Sequence, residues 1–216
     1  MTMQTVLEKW RLHSRENGFF KSTFLAGLIL VAGVTLNTLA GIYATERASN
    51  SVTDIILSNT PVYNLDFLFV YGALFVIFFA FGTILLDPKR IPFTLEAMGL
   101  FYLTRALFVT LTHLGPFPTH AALDVGTVLS YIFGGGDLFF SGHTGAPFML
   151  ALLFWREIYL RYIFLAFSFT LGTVVLHAHL HYSIDVLSAF FITYGIYHIA
   201  LWLFPEDARL FHRVNE

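Results

Sequence analysis

Two short stretches of the chain hold the side chains best suited to acid, base and nucleophile work. The first is Gly136-Asp137-Leu138-Phe139-Phe140-Ser141-Gly142-His143-Thr144, the second His181-Tyr182-Ser183-Ile184-Asp185, and each stands at the mouth of an apolar run. His181 and Asp185 are four residues apart, a spacing that puts both on one face of a helix. A carboxylate one turn from an imidazole holds it in one tautomer and stabilises its protonated form, as a nucleophilic or proton-transferring histidine requires. In the first stretch Ser141 is placed as a helix N-cap, Gly142 permits close backbone approach, and the first-turn amides can cradle an anion beside His143. Together these groups point to phosphorus chemistry on a lipid. Taken singly, each has a plainer reading: a polar pair closing a helix end, and an interfacial histidine.

Further residues extend the set. Arg105 lies inside an apolar run in the pattern Tyr102-x2-Arg105-x6-Thr112. A guanidinium in hydrocarbon is costly, so it must face a polar cavity, a partner such as Asp66 or Asp137, or a substrate phosphate. Asp137 is a candidate for headgroup contact or for restraining a catalytic group, with an ordinary turn aspartate as its alternative. His177, His181 and Asp185 recur every four residues and open a second reading, a metal centre. Membrane di-iron enzymes, however, gather several histidine boxes, and this chain supplies one.

The elements that must position these residues follow from composition. With 216 residues, 56% of them hydrophobic, 18% aromatic and only 12% charged, the chain has more apolar surface than one small soluble core can bury. A helical span needs about 20 mostly apolar residues, and six runs answer to that: 24–44, 65–86, 93–114, 140–155, 159–178 and 184–204. The expected fold is therefore all-α, an integral membrane bundle of six transmembrane helices. Residues 1–22 form an amino-terminal segment with an interfacial helix or polar tail over Gln4 to Ser14, 23–204 the membrane catalytic domain, and 205–216 a tail. Met1 to Ser22 lacks the short apolar core and small-residue site of a removable signal peptide, so the first span is expected to stay.

Orientation follows from the basic residues, which are retained on the cytoplasmic side. Lys9, Arg11, Arg15 and Lys21 precede the first span, Lys89 and Arg90 follow the second, Arg156 and Arg161 follow the fourth, and Arg209 and Arg213 close the chain. The opposite loops, 45–64, 115–139 and 179–183, carry Arg47 alone. Both termini are thus expected in the cytoplasm and both histidine motifs on the outer, periplasmic or lumenal, side. The net charge of -2 and the lack of a long basic run speak against a nucleic-acid partner, and the absence of cysteine excludes disulfides and thiolate metal sites.

These motifs resemble the lipid phosphate phosphatase/phosphotransferase superfamily, that of the type-2 phosphatidic acid phosphatases, and within it the sphingomyelin synthase branch. The S-G-H and H-x3-D endings of two superfamily motifs are similar to Ser141-Gly142-His143 and His181 to Asp185. The branch patterns G-D-x3-S-G-H-T, H-Y-[ST]-x-D-V and Y-x2-R-x6-T are met by Gly136 to Thr144, His181 to Val186, and Tyr102, Arg105 and Thr112. The chain departs from the pattern where a Cys is expected at Gly135, a Tyr at Phe190, and paired arginines just before Tyr102. It also lacks S-R-x5-H, with Val174 and Val175 in the Ser and Arg places.

The resemblance implies a two-step transfer with His181 as nucleophile, Asp185 as its stabiliser and His143 as acid and base. Tyr102, Arg105, Asp137, Ser141, Gly142 and His179 are then the substrate-binding residues. The implied partners are a phospholipid donor and a lipid alcohol acceptor, ceramide-like or diacylglycerol, and no metal or organic cofactor is called for. Hydrolysis by a lipid phosphatase or phospholipase C-type relative, a histidine-box metalloenzyme and a non-catalytic lipid-binding protein stand as the alternatives.

Overall fold

A computed structural model describes residues 3–15, 18–121 and 138–213. Among them every regular element is helical: α1 (Met3–His13), α2 (Phe19–Glu46), α3 (Asp66–Leu85), α4 (Ile91–Leu111), α5 (Gly142–Leu153), α6 (Ile158–His177), α7 (Ser183–Leu203) and α8 (Pro205–His212). Asp137 and its three preceding glycines lie outside the described residues.

Five segments are long and apolar enough to cross a membrane: α2, α3, α4 with its leading turn (Pro88–Leu111), α6 and α7. The fourth expected run differs. Only 12 of its residues are helical, about 18 Å of rise, against about 30 Å of hydrocarbon. The reason is local, because the helix does not start at the bundle surface. Phe139 to Ser141 form a turn already packed inside, with Phe140 and Ser141 wholly buried. From there α5 buries Met149, Leu150, Ala151, Leu152 and Leu153 against its neighbours. Its outer counterparts do the opposite: Phe78 is 70% exposed and Phe191 78%, as expected of side chains whose solvent is lipid.

The tightest helix pair is α2 on α4. Ala26, Gly33, Ala40, Gly41 and Ala44 form a buried seam of small residues along α2, and small residues let two backbones approach where lipid offers no hydrophobic drive for association. At the crossing, a Cβ added to Gly33 would stand 2.5 Å from the Gly99 carbonyl oxygen. That close approach is what brings Asn37 of α2 within reach of Arg105 on α4.

One end of the bundle collects both chain ends. The Trp10 indole donates to the Leu85 carbonyl at 3.0 Å, the Ser22 hydroxyl donates to Asp207 at 2.6 Å, and the Lys89 ammonium donates to the Arg213 carbonyl. Asp87 takes Lys9 at 3.4 Å and Arg90 at 3.5 Å, while Arg90 reaches Glu157 at 2.8 Å in the turn after α5. Of the twelve Lys and Arg residues, all but Arg47 and Arg105 fall in these segments. The loops after α2 and α4 and the start of α7 meet at the other end, where Ser49 donates to the His113 carbonyl through both its amide and its hydroxyl.

Candidate active site

At that second end the two histidine motifs are bonded to each other. The Ser141 amide donates to the Asp185 carbonyl at 3.1 Å, and the His181 ring donates from Nδ1 to the Leu138 carbonyl at 2.8 Å. A carbonyl can only accept, so this contact places the ring proton on Nδ1 and leaves the Nε2 lone pair as the reactive one. Asp185, fully buried, sits 3.5 Å from the same Nδ1. Its Oδ2 accepts the Tyr182 amide at 2.9 Å, so the carboxylate closes the first turn of α7 while it faces the imidazole. Its Oδ1 has no hydrogen-bond partner among the described residues, which leaves acceptor capacity beside a ring that can become positive.

His143 occupies the first turn of α5. Phe69 of α3 holds it twice: the phenyl ring stacks on the imidazole with centroids 4.0 Å apart, and the Phe69 backbone hydrogen-bonds the imidazole. His181 and Arg105 both lie within electrostatic reach of it. Ser141 is the N-cap residue by position, but its hydroxyl makes no capping bond. Instead it accepts from the Thr144 hydroxyl at 3.3 Å, and the Ser168 hydroxyl donates to the Thr144 carbonyl at 2.7 Å. The expected Ser141 cap is thus corrected: Ser141 holds the N-cap position, but a neighbouring hydroxyl occupies its side chain and it makes no capping bond.

Arg105 completes the cluster from α4. It is 4% exposed, donates from Nε to the Phe140 carbonyl at 2.8 Å and from Nη1 to Asn37 Oδ1 at 3.0 Å. Its guanidinium lies against Gly142, where an added Cβ would be 3.3 Å from Nε. Gly142 therefore serves to admit the guanidinium next to the histidine turn. Tyr102, one turn earlier on α4, lies within electrostatic reach of Arg105.

His179 stands apart from this arrangement although it is only two residues from His181. Its Nδ1 donates to the Thr119 carbonyl at 2.7 Å, and its Nε2 faces the Thr60 hydroxyl at 3.3 Å. With both ring nitrogens engaged by loop groups, and a backbone φ of 53° at the turn into α7, it ties three connections together. His177 bonds back to the Thr173 carbonyl of its own helix at 3.0 Å. Among the described residues no three His, Cys, Asp or Glu side chains gather as metal ligands would. Asp66 opens α3.

Three contributors were not singled out from sequence. Asn37 had a signal, a lone amide amid an apolar run. Phe69 had none, being one of 25 phenylalanines. Asp54 lies in the loop after α2 and accepts the Ser183 amide at 2.7 Å through Oδ2 and the Ile56 amide at 2.8 Å through Oδ1. Burial pushes its carboxyl up, but the hydrogen bonds from Leu57, Ser183 and Ile56 outweigh that and hold it below the ordinary 3.8.

Family evidence falls on the same stretch. Residues 134–201 match the family model described as PAP2 superfamily C-terminal. The match supports the type-2 phosphatidic acid phosphatase superfamily, and with it an enzyme of lipid phosphatase or phosphotransferase type. It takes in the Ser141-Gly142-His143 turn, all of α5 and α6, and the His181 to Asp185 turn, so the superfamily region is the part of the fold that carries both histidines. Neither a curated protein nor a solved structure matches the chain.

Proposed function

We propose that the protein is a membrane lipid phosphotransferase of the sphingomyelin synthase type, moving a phospho-headgroup from a glycerophospholipid to a lipid alcohol. The observation that carries this reading is the direct bonding of the two histidine turns, Ser141 to Asp185 and His181 to Leu138, with Arg105 laid across Gly142. His181 Nε2 attacks phosphorus; the N–P bond forms as the P–O bond to diacylglycerol breaks, and His143 delivers a proton to the departing oxygen. Asp185 balances the charge on the His181 ring in the phosphohistidine. In the second step His143 takes the proton of an acceptor hydroxyl, whose oxygen bonds to phosphorus as the N–P bond breaks. Arg105 and the first-turn amides of α5 offset the charge on the phosphoryl oxygens.

Two features favour a lipid acceptor over water. The Phe69 ring covers His143, and Val174 and Val175 stand where the phosphatase motif has its Ser and Arg. Closure against water suits transfer. A six-pass topology, with cytoplasmic termini, the histidines on the outer face and the fourth pass made by the short α5 together with the buried turn that leads into it, is part of the same proposal, and the gathering of nearly all basic residues at the terminal end supports it.

The decisive experiment incubates purified protein with a panel of phospholipids, with and without ceramide or diacylglycerol, and identifies every product by mass. Transfer puts the headgroup on the added alcohol; release of the headgroup to water in both arms would instead assign hydrolysis. Because the chain has no cysteine, single cysteines at Thr119 and Ser14 report sidedness. An impermeant reagent added from outside should label the first and spare the second.

A further inference from the structure

The terminal end of the bundle holds a second concave site, remote from the histidines. A cavity of about 640 Å³ lies between the end of α7 and α8, lined by Arg156, Arg209, His212 and Arg213 with Leu201 and Ala208 among its apolar wall. Among the described residues no acidic side chain lines it. Three carboxylates at this end are engaged elsewhere, Asp87 by Lys9, Lys89 and Arg90, Glu157 by Arg90, and Asp207 by Ser22, while Glu206 stands in the first turn of α8 outside the lining. Among the described residues Arg156 makes no hydrogen bond or ion pair, and Arg209 donates only from Nε to the Pro205 carbonyl at 3.1 Å. Among the described residues the charged side chains that line the cavity are therefore all basic. His212 registers them, since burial and then the charges of Arg156 and Lys89 push its imidazole below the ordinary value.

Depth identifies the ligand. Trp155 and Trp202 adjoin the lining residues Arg156 and Leu201, and they are 48% and 78% exposed; Tyr159 beside them is 84% exposed. Exposed Trp and Tyr at the end of an apolar bundle mark the headgroup layer of a bilayer. A cationic hollow at that depth, with an apolar wall on one side, has the chemistry of a phospholipid headgroup site rather than of a soluble substrate pocket. We propose that this cavity binds the headgroup phosphate of an anionic phospholipid from the leaflet that faces the two chain ends. The phosphate lies between Arg156 and Arg209, and the glycerol end of the lipid lies against Leu201 and Ala208. The site is independent of the chemistry assigned to the histidines.

The test uses full-length protein in detergent, with dioleoylphosphatidylglycerol, dioleoylphosphatidylcholine and inorganic phosphate as probes and native mass spectrometry as the readout. Wild type should retain phosphatidylglycerol in preference to phosphatidylcholine by about tenfold, and the double variant Arg156→Gln/Arg209→Gln should bring that preference close to parity. Both arginines are exposed, so the double variant should keep the wild-type unfolding temperature without lipid, and the Arg156→Lys/Arg209→Lys pair should restore the preference. Arg105→Gln reports lipid held at the other end and should leave the preference intact. Three results would overturn the proposal: a preference that survives the double Gln variant, one that disappears with Arg105→Gln alone, or millimolar inorganic phosphate displacing phosphatidylglycerol and stabilising the protein equally well.

Discussion

The two ends of the bundle handle polar groups in opposite ways. At the histidine end, which is nearly free of basic residues, each functional side chain is fixed by one or two named bonds: Asp185 by the Tyr182 amide, His181 by Leu138, Arg105 by Phe140 and Asn37, Asp54 by Ser183. At the terminal end the charges are many and several arginines face outward. The contrast is one of preorganisation. A site that stabilises a transient charge needs dipoles already aimed, since turning them during the reaction raises the barrier. A surface that holds a soft, exchangeable anion tolerates mobile arginines.

The sharpest way to break this contrast is at His181 and Asp185. His181→Ala should lower headgroup transfer at least about a thousandfold with no loss of folded protein, because it removes the proposed nucleophile. Asp185→Asn keeps an oxygen for the Tyr182 amide while removing the charge, so activity should fall with little change in unfolding temperature. Asp185→Ala should lose both, as the cap bond goes too. If Asp185→Asn instead unfolds the protein and His181→Ala turns over normally, the histidine end is structural.

Next in size are the groups that aim Arg105. Arg105→Gln should reduce kcat by about a hundredfold. Asn37→Leu, which only removes an orienting bond, should cost about tenfold. Gly33→Val should reproduce the Asn37 effect by a different route. Its side chain collides with the Gly99 carbonyl and parts α2 from α4, at about 1–3 kcal/mol of stability by thermal unfolding. Equal activity in all three variants would mean that the α2–α4 contact does not serve the site.

The smallest expected effect is the most diagnostic of how the loop is held. Asp54 has a lowered carboxyl pKa in the folded state, so its contribution is full above the ordinary 3.8 and is lost as pH falls below that toward the folded value. Asp54→Asn should unfold about 1 kcal/mol more easily at pH 7. The gap from wild type should narrow as the pH is taken below 4. A gap that widens in acid would contradict the hydrogen-bond geometry seen at Ser183.

Much of this was legible in the residues themselves. Hydrophobic composition and run length determine an all-helical membrane bundle, because backbone polar groups in hydrocarbon must be satisfied within the segment. The spacing of His181 and Asp185 and the Ser-Gly-His turn marked the stretch that the family match covers and that the fold brings together. Only the tertiary structure decided that the run 140–155 begins inside the bundle as a short helix, that Ser141 bonds Thr144 rather than capping, and that both ring nitrogens of His179 meet loop groups. It also decided that Arg105 is met by Asn37 and by the Phe140 carbonyl, which had no sequence signal, and that the close approach Gly142 permits is used by the Arg105 guanidinium. The physical reason is common to all of these. Periodicity and residue type report what a side chain can do along its own helix, whereas the partner of a carbonyl, the facing small residue and the depth of a turn depend on how separate helices cross, which no local pattern encodes.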